Sequence, residues 1–173
     1  HVVKCLVFYH PDDPTALRAE QDALLLEVWQ ACNKSGHELL LEVILPENGP
    51  DKDERHYHTM LEHFYQLGIK PDWWKLPPLS SASWQQITAL IEREDPWSRG
   101  ILILGLDAPS DKLRAGFAEA ATHPMIKGFA VGRTIFGQPS RRWMQGELSD
   151  EALIEEVKRN YLTLIGYWRE ARR

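Results

Sequence analysis

The sequence predicts an α/β protein: a (β/α)8 TIM barrel, of which this chain supplies about the last five βα units. Three observations predict it. Five short β-rich runs alternate with helix-like segments at roughly 35 residues per unit, so eight units would fill about 280 residues, within the usual range of that barrel. The runs are apolar on both faces, as in Leu39-Leu40-Leu41-Glu42-Val43-Ile44-Leu45, which is the pattern of parallel strands covered by helices. No GxGxxG or Walker-type loop follows the first run, which removes the usual reason to prefer a doubly wound nucleotide-binding sheet. With 173 residues, 43% of them hydrophobic, the chain can bury a sizeable core, so residues 1–173 are read as one domain, the C-terminal portion of a barrel. The chain enters a strand directly from His1-Val2-Val3-Lys4, without a methionine, so upstream barrel strands are expected.

The first strand is Val2 to Tyr9, closed by His10-Pro11-Asp12-Asp13-Pro14. That turn also starts a helix, with Asp13 as cap and Pro14 at the first helical position. Leu17, Leu24, Val28 and Cys32 then recur at helical spacing up to Gly36. His37 to Leu45 is the second strand, stopped by Pro46. After a polar loop, Glu47 to Asp53, a second helix carries Met60, Leu61, Phe64 and Leu67 and ends at Gly68. The third strand lies in Gly68-Ile69-Lys70-Pro71-Asp72-Trp73-Trp74-Lys75-Leu76-Pro77-Pro78, where two prolines forbid further ladder pairing. Ser81 or a neighbour caps a third helix with Trp84, Ile87 and Ile91 on one face. Gly100 to Asp107 is the fourth strand, and Ser110 begins a fourth helix through Leu113, Phe117 and Ala121. Gly128 to Arg133 is the fifth strand. A short turn around Ile135-Phe136-Gly137, near Pro139 and Trp143, leads to a long last helix from Ser149, with Leu153, Val157, Tyr161, Leu164 and Trp168 on its inner stripe.

Composition excludes several classes of function. A net charge of -5 without a basic stripe argues against nucleic acid. No apolar run approaches the ~20 residues that span a bilayer, and no signal-peptide pattern opens the chain, so no membrane partner is expected. Cys5 and Cys32 sit in apolar surroundings without a CxxC and read as reduced thiols of a cytoplasmic protein. His56-Tyr57-His58 and His63 lack the supporting carboxylate or cysteine spacing of a metal centre and read as a solvated helix start. The seven tryptophans are expected mostly at core-facing positions.

Three successive strands each carry one charged residue among apolar ones: Lys4, Glu42 and Lys75. In a barrel, inward side chains of alternate strands share a layer, so Lys4 and Lys75 are expected to face each other with Glu42 between them. Burial and a neighbouring cation both disfavour a charged lysine, which is the requirement for a Schiff-base amine, and Glu42 is placed to move protons. The last two strands end instead in Gly105 and in Gly132-Arg133. Glycines let backbone N–H groups approach an anion, and arginine offers a planar fork for phosphate. The loops after barrel strands seven and eight are the habitual phosphate site. Asp107 is open between a substrate contact and a loop leading to the helix cap. No cofactor is expected.

The strings VVKCLVFYHPDD, LLLEVILP, GIKPDWWKLPP, GILILGLDAP and GFAVGRTIFG resemble the aldolase-like C-terminal domain fused to bacterial 5-dehydro-2-deoxygluconokinase, the kinase of myo-inositol catabolism. More distantly the chain is similar to class I tagatose-bisphosphate aldolase. The resemblance implies a metal-independent lyase of carbohydrate metabolism, with Lys75 as the Schiff-base lysine, Lys4 and Glu42 as its neighbours and Arg133 as a phosphate ligand. It also implies a covalently fused kinase domain, and a phosphorylated ketose or keto-acid substrate such as 6-phospho-5-dehydro-2-deoxygluconate, cleaved to dihydroxyacetone phosphate and malonate semialdehyde. Leu104-Gly105-Leu106-Asp107 departs from the serine-containing loop of the tagatose enzymes. The competing expectation is a non-catalytic sugar-phosphate-binding domain that regulates the kinase. Two open parallel edges predict self-association or pairing with the remaining barrel strands.

Overall fold

The structure, a computed structural model, describes residues 1–106 and 108–173. Five parallel strands form one sheet in the order β1-β2-β3-β4-β5, alternating with helices. They are β1 (Val2–Phe8), β2 (Glu38–Ile44), β3 (Trp73–Leu76), β4 (Gly100–Ile103) and β5 (Ile126–Phe129). The helices are α1 (Thr15–Ser35), α2 (Arg55–Gln66), α3 (Ser81–Glu94), α4 (Ser110–Ala120), α5 (Arg133–Met144) and α6 (Asp150–Ala171). Parallel crossovers share one hand, so a sheet that never reverses its strand order carries its helices on one face. A doubly wound sheet reverses and is covered on both. The winding is therefore consistent with part of a (β/α) barrel.

Burial follows from that winding. Leu41, Val43, Trp74, Leu76, Ile101 and Ile103 point toward the helices and are fully buried against Met60, Leu61, Phe64, Trp84, Ile87, Ile91 and Phe117. The opposite pleat of β1 presents Val2, Leu6 and Phe8 to the outside. Trp74 is fixed within this core, its indole N–H donating to the Tyr65 hydroxyl at 2.9 Å. Gly116 admits the β3–α3 turn against α4, since a Cβ there would lie 2.5 Å from the Cβ of Pro78. No helix of the described residues is long and apolar enough to cross a membrane.

Several sequence expectations need correction. Asp13 does not cap α1: Pro14 occupies the N-cap position without a side-chain bond, and the Asp13 carboxylate accepts the His10 N–H within the turn at 3.1 Å. The inner stripe of α1 is rotated, with Leu17 and Leu24 exposed and Leu25 and Cys32 buried. Leu24, Leu25 and Leu26 are consecutive, so apolar spacing could not choose among them. The fourth strand ends at Ile103 and the fifth spans Ile126–Phe129 rather than Gly128 to Arg133.

Arg133 instead opens α5, a helix where a short turn was expected. Pro139 lies inside it and cannot donate to the carbonyl of Ile135 four residues back. The Asn160 amide of α6 donates to that carbonyl at 2.8 Å, which meets the hydrogen-bonding need the proline leaves. On α6 only Leu164 of the expected stripe is buried, and Tyr161 is exposed. The tryptophans are also less buried than expected, since Trp74 and Trp84 are enclosed while Trp97 and Trp143 are exposed. Cys5 and Cys32 are free thiols, and burial pushes both upward in pKa.

Candidate functional site

The strand register sets the site. Leu6 of β1, Glu42 of β2, Lys75 of β3, Leu102 of β4 and Gly128 of β5 lie at one level across the sheet. Lys4, two residues before Leu6 on β1, pairs with Leu40, and its ammonium reaches Glu42 from the neighbouring strand. The Glu42 carboxylate bridges the two lysines, with Oε2 2.6 Å from the Lys4 Nζ and Oε1 2.9 Å from the Lys75 Nζ.

The three side chains meet water very differently. Glu42 is 8% exposed and Lys75 15%, whereas Lys4 on the edge strand is 48% exposed. Among the described residues no strand pairs with the outer side of β1, and Lys4 is correspondingly more open to water than Lys75. Burial pushes the Glu42 carboxyl upward in pKa, but the hydrogen bonds and charges of Lys4 and Lys75 outweigh it and hold the group below its ordinary value. The carboxylate is therefore the ionised centre of the trio. Fully ionised, the trio carries one net positive charge, and release of one ammonium proton neutralises it.

All six residues singled out by the sequence, Lys4, Glu42, Lys75, Gly105, Gly132 and Arg133, line one chamber of about 290 Å³ at the C-terminal ends of the strands. Gly132 is the N-cap of α5, which has no side-chain cap. The first N–H groups of that helix are therefore open to an anionic partner, with Arg133 beside them. The glycines also serve packing. A Cβ on Gly105 would lie 2.8 Å from Val131 Cγ1, and one on Gly132 would lie 3.1 Å from the Phe136 ring. A second cavity of about 870 Å³ shares Phe8, Ile44, Leu106 and Arg133 with the chamber and adds Lys52, Asn48 and Tyr57.

Two features of the rim were not legible in the sequence. Leu106 lines both cavities with a φ of 46°, the one non-glycine residue in the left-handed region among the described residues. Backbone strain of this kind is costly and collects at functional sites. Glu54 organises the turn after Lys75, accepting from the N–H and hydroxyl of Ser80 and, at 2.9 Å, from the Ser83 hydroxyl. The Ser80 hydroxyl in turn caps α3. Asp107 lies outside the described residues.

The histidines act as staples between segments. His10, Asp12 and His56 bring ligand atoms within 4.8 Å of one another. However, the His10 Nδ1 accepts the Asp12 backbone N–H at 3.1 Å, which places the proton of the neutral ring on Nε2 and leaves no lone pair there for a metal. His56 joins Asp51 at 2.7 Å and His63 joins Asp22 at 2.8 Å.

A family model described as an uncharacterized protein conserved in bacteria (DUF2090) matches residues 1–172. No curated protein matches the chain.

Proposed function

We propose that this chain, which belongs to the DUF2090 family, is the C-terminal part of a (β/α)8 barrel acting as a metal-independent class I aldolase on a phosphorylated carbonyl compound. The observation that carries this reading is the single chamber in which a lysine–glutamate–lysine trio faces an uncapped helix start and an arginine. The Lys75 amine, having given up a proton, attacks the substrate carbonyl to form a carbon–nitrogen bond. The carbinolamine then loses water to leave an iminium. Glu42, ionised and within hydrogen-bond reach of Lys75, takes the proton of the substrate hydroxyl β to that iminium. The carbon–carbon bond breaks, an aldehyde departs, and its electron pair passes into the iminium to give an enamine. Protonation at carbon and hydrolysis return the amine. Lys4 keeps Glu42 oriented and favours its return to the ionised form once it has passed the proton on. The N–H groups of Arg133 and Thr134 at the start of α5, with the Arg133 guanidinium, hold the phosphate.

The resemblance to the domain fused to 5-dehydro-2-deoxygluconokinase supports naming 6-phospho-5-dehydro-2-deoxygluconate as substrate, a fused kinase as partner and the cytoplasm as location. The open apolar pleat of β1 supports pairing with further strands or with a second copy. A second reading, a non-catalytic sugar-phosphate-binding domain, is favoured by the ion pairs themselves, since two lysines satisfied by one carboxylate also describe a structural cluster.

Hydrogen exchange on the product side separates these readings. A class I aldolase forms the enamine reversibly from dihydroxyacetone phosphate, so in deuterated water the protein is expected to wash one proton from the carbon next to the carbonyl, read by NMR. Exchange no faster than in a protein-free control contradicts catalysis and favours the binding domain.

A further inference from the structure

We propose that the pocket between α1 and α2 is a binding site for a small zwitterion of the α-amino-acid class. Its volume is about 220 Å³, below the ~300–1,000 Å³ of pockets that take drug-sized ligands, so its occupant is small. It shares no lining residue with the Lys75 chamber or with the larger cavity beside that chamber.

The pocket gathers polar groups that the fold leaves unused. Arg18 and Asp22 stand four residues apart on α1, the spacing at which opposite charges on a helix ordinarily pair. Each is drawn elsewhere instead. The Arg18 Nε donates to the Asp13 carbonyl at 3.0 Å, and the Asp22 Oδ2 accepts from the His63 ring at 2.8 Å. Asp22 Oδ1 stays buried without a partner, and so does the hydroxyl of Tyr9, a residue only 1% exposed. Burial and the Asp22 charge push the Tyr9 pKa up to about 12, with Arg18 opposing them. The hydroxyl therefore keeps its proton and lies within reach of both groups. Tyr9, Arg18 and His63 all line the pocket, so this orphaned donor belongs to its wall.

Charge decides what the pocket takes. Asp22 does not line it, but its bond to His63 and its action on Tyr9 place its charge just behind that wall. Glu62, which does line it, adds a second negative charge. A simple anion is repelled by these two carboxylates and a simple cation by Arg18. A ligand carrying both signs satisfies all three, its carboxylate on the Arg18 fork and the Tyr9 hydroxyl and its ammonium toward Glu62. Such a ligand also relieves the cost of a buried hydroxyl without a partner. Pro11 and Met60 supply apolar wall, which suits a short aliphatic side chain.

A two-dimensional NMR titration of the intact chain with L-alanine at constant ionic strength tests the site. Saturable shifts are expected at Tyr9 and His63, with propionate and ethylamine, which each carry one of the two charges, binding at least about tenfold more weakly. Tyr9→Phe, which removes only the hydroxyl, is expected to weaken L-alanine binding roughly tenfold. Arg18→Gln is expected to do the same, and Tyr9→Phe serves if Arg18→Gln misfolds. Lys75→Met is expected to leave the titration unchanged, because Lys75 does not line this pocket, so failure of the aldolase reading would leave the site standing. Absence of L-alanine binding, equal binding of propionate or ethylamine, unaltered binding in Tyr9→Phe, or loss of binding in Lys75→Met would each overturn the proposal.

Discussion

Lys75→Met is expected to abolish hydrogen exchange on dihydroxyacetone phosphate and turnover of any phosphorylated ketose, by roughly 10,000-fold or more, the scale on which removing a covalent nucleophile acts. The substitution suits the question because methionine nearly matches the volume of the lysine stem and packs well among apolar neighbours. Lys75 is largely buried, and its ammonium is one of two that Glu42 holds. Without it, Glu42 keeps its bond to Lys4, no carboxylate is left unpaired, and the protein is expected to stay folded. Circular dichroism and a denaturant melt check that loss of activity is not loss of structure. Exchange in Lys75→Met within tenfold of the wild type would remove Lys75 from the chemistry.

Glu42→Gln is expected to carry the largest stability effect of any change in the chamber. It leaves two ammonium groups close together with no counter-charge. Breaking a fully buried pair from one side costs about 3–5 kcal/mol, and Lys4 stays half in water, so about 2–3 kcal/mol is expected at neutral pH. The pH dependence identifies the cause. Glu42 is held below its ordinary pKa in the folded chain, so the folded state binds this proton less tightly than the unfolded state. Its stabilisation is fully present above the unfolded value of about 4.3 and is lost as the pH falls through the folded value. The gap between wild type and Glu42→Gln in urea denaturation should therefore be widest near neutrality and close in acid. A gap that stays constant with pH would assign the loss to packing instead.

Much of the site was legible because apolar context makes charge conspicuous. Glu42 in a seven-residue aliphatic run and Lys75 between Trp74 and Pro77-Pro78 both stand out, and parallel strands at the observed register bring them to one level. Lys4 was legible as a residue but not as an environment, since nothing local tells an edge strand from a central one, and exposure depends on which strand lies beside it. The β5–α5 junction was misread for a different reason. Gly132 and Pro139 are both signals against regular structure. Gly132 serves as a helix cap, and the need created by Pro139 is met by Asn160, more than twenty residues away, which no local window contains. The strained Leu106 and the Glu54 brace likewise depend on partners or backbone angles that side-chain identity does not encode.

The central claim is that Lys75 forms an imine with a phosphorylated carbonyl compound. It is tested most directly by sodium borohydride treatment with and without dihydroxyacetone phosphate, followed by intact-mass spectrometry and peptide mapping. The account predicts a substrate-dependent mass increase, one adduct per chain, on the peptide carrying Lys75. No adduct at any pH near neutrality, or an adduct on another lysine that persists in Lys75→Met, would contradict it.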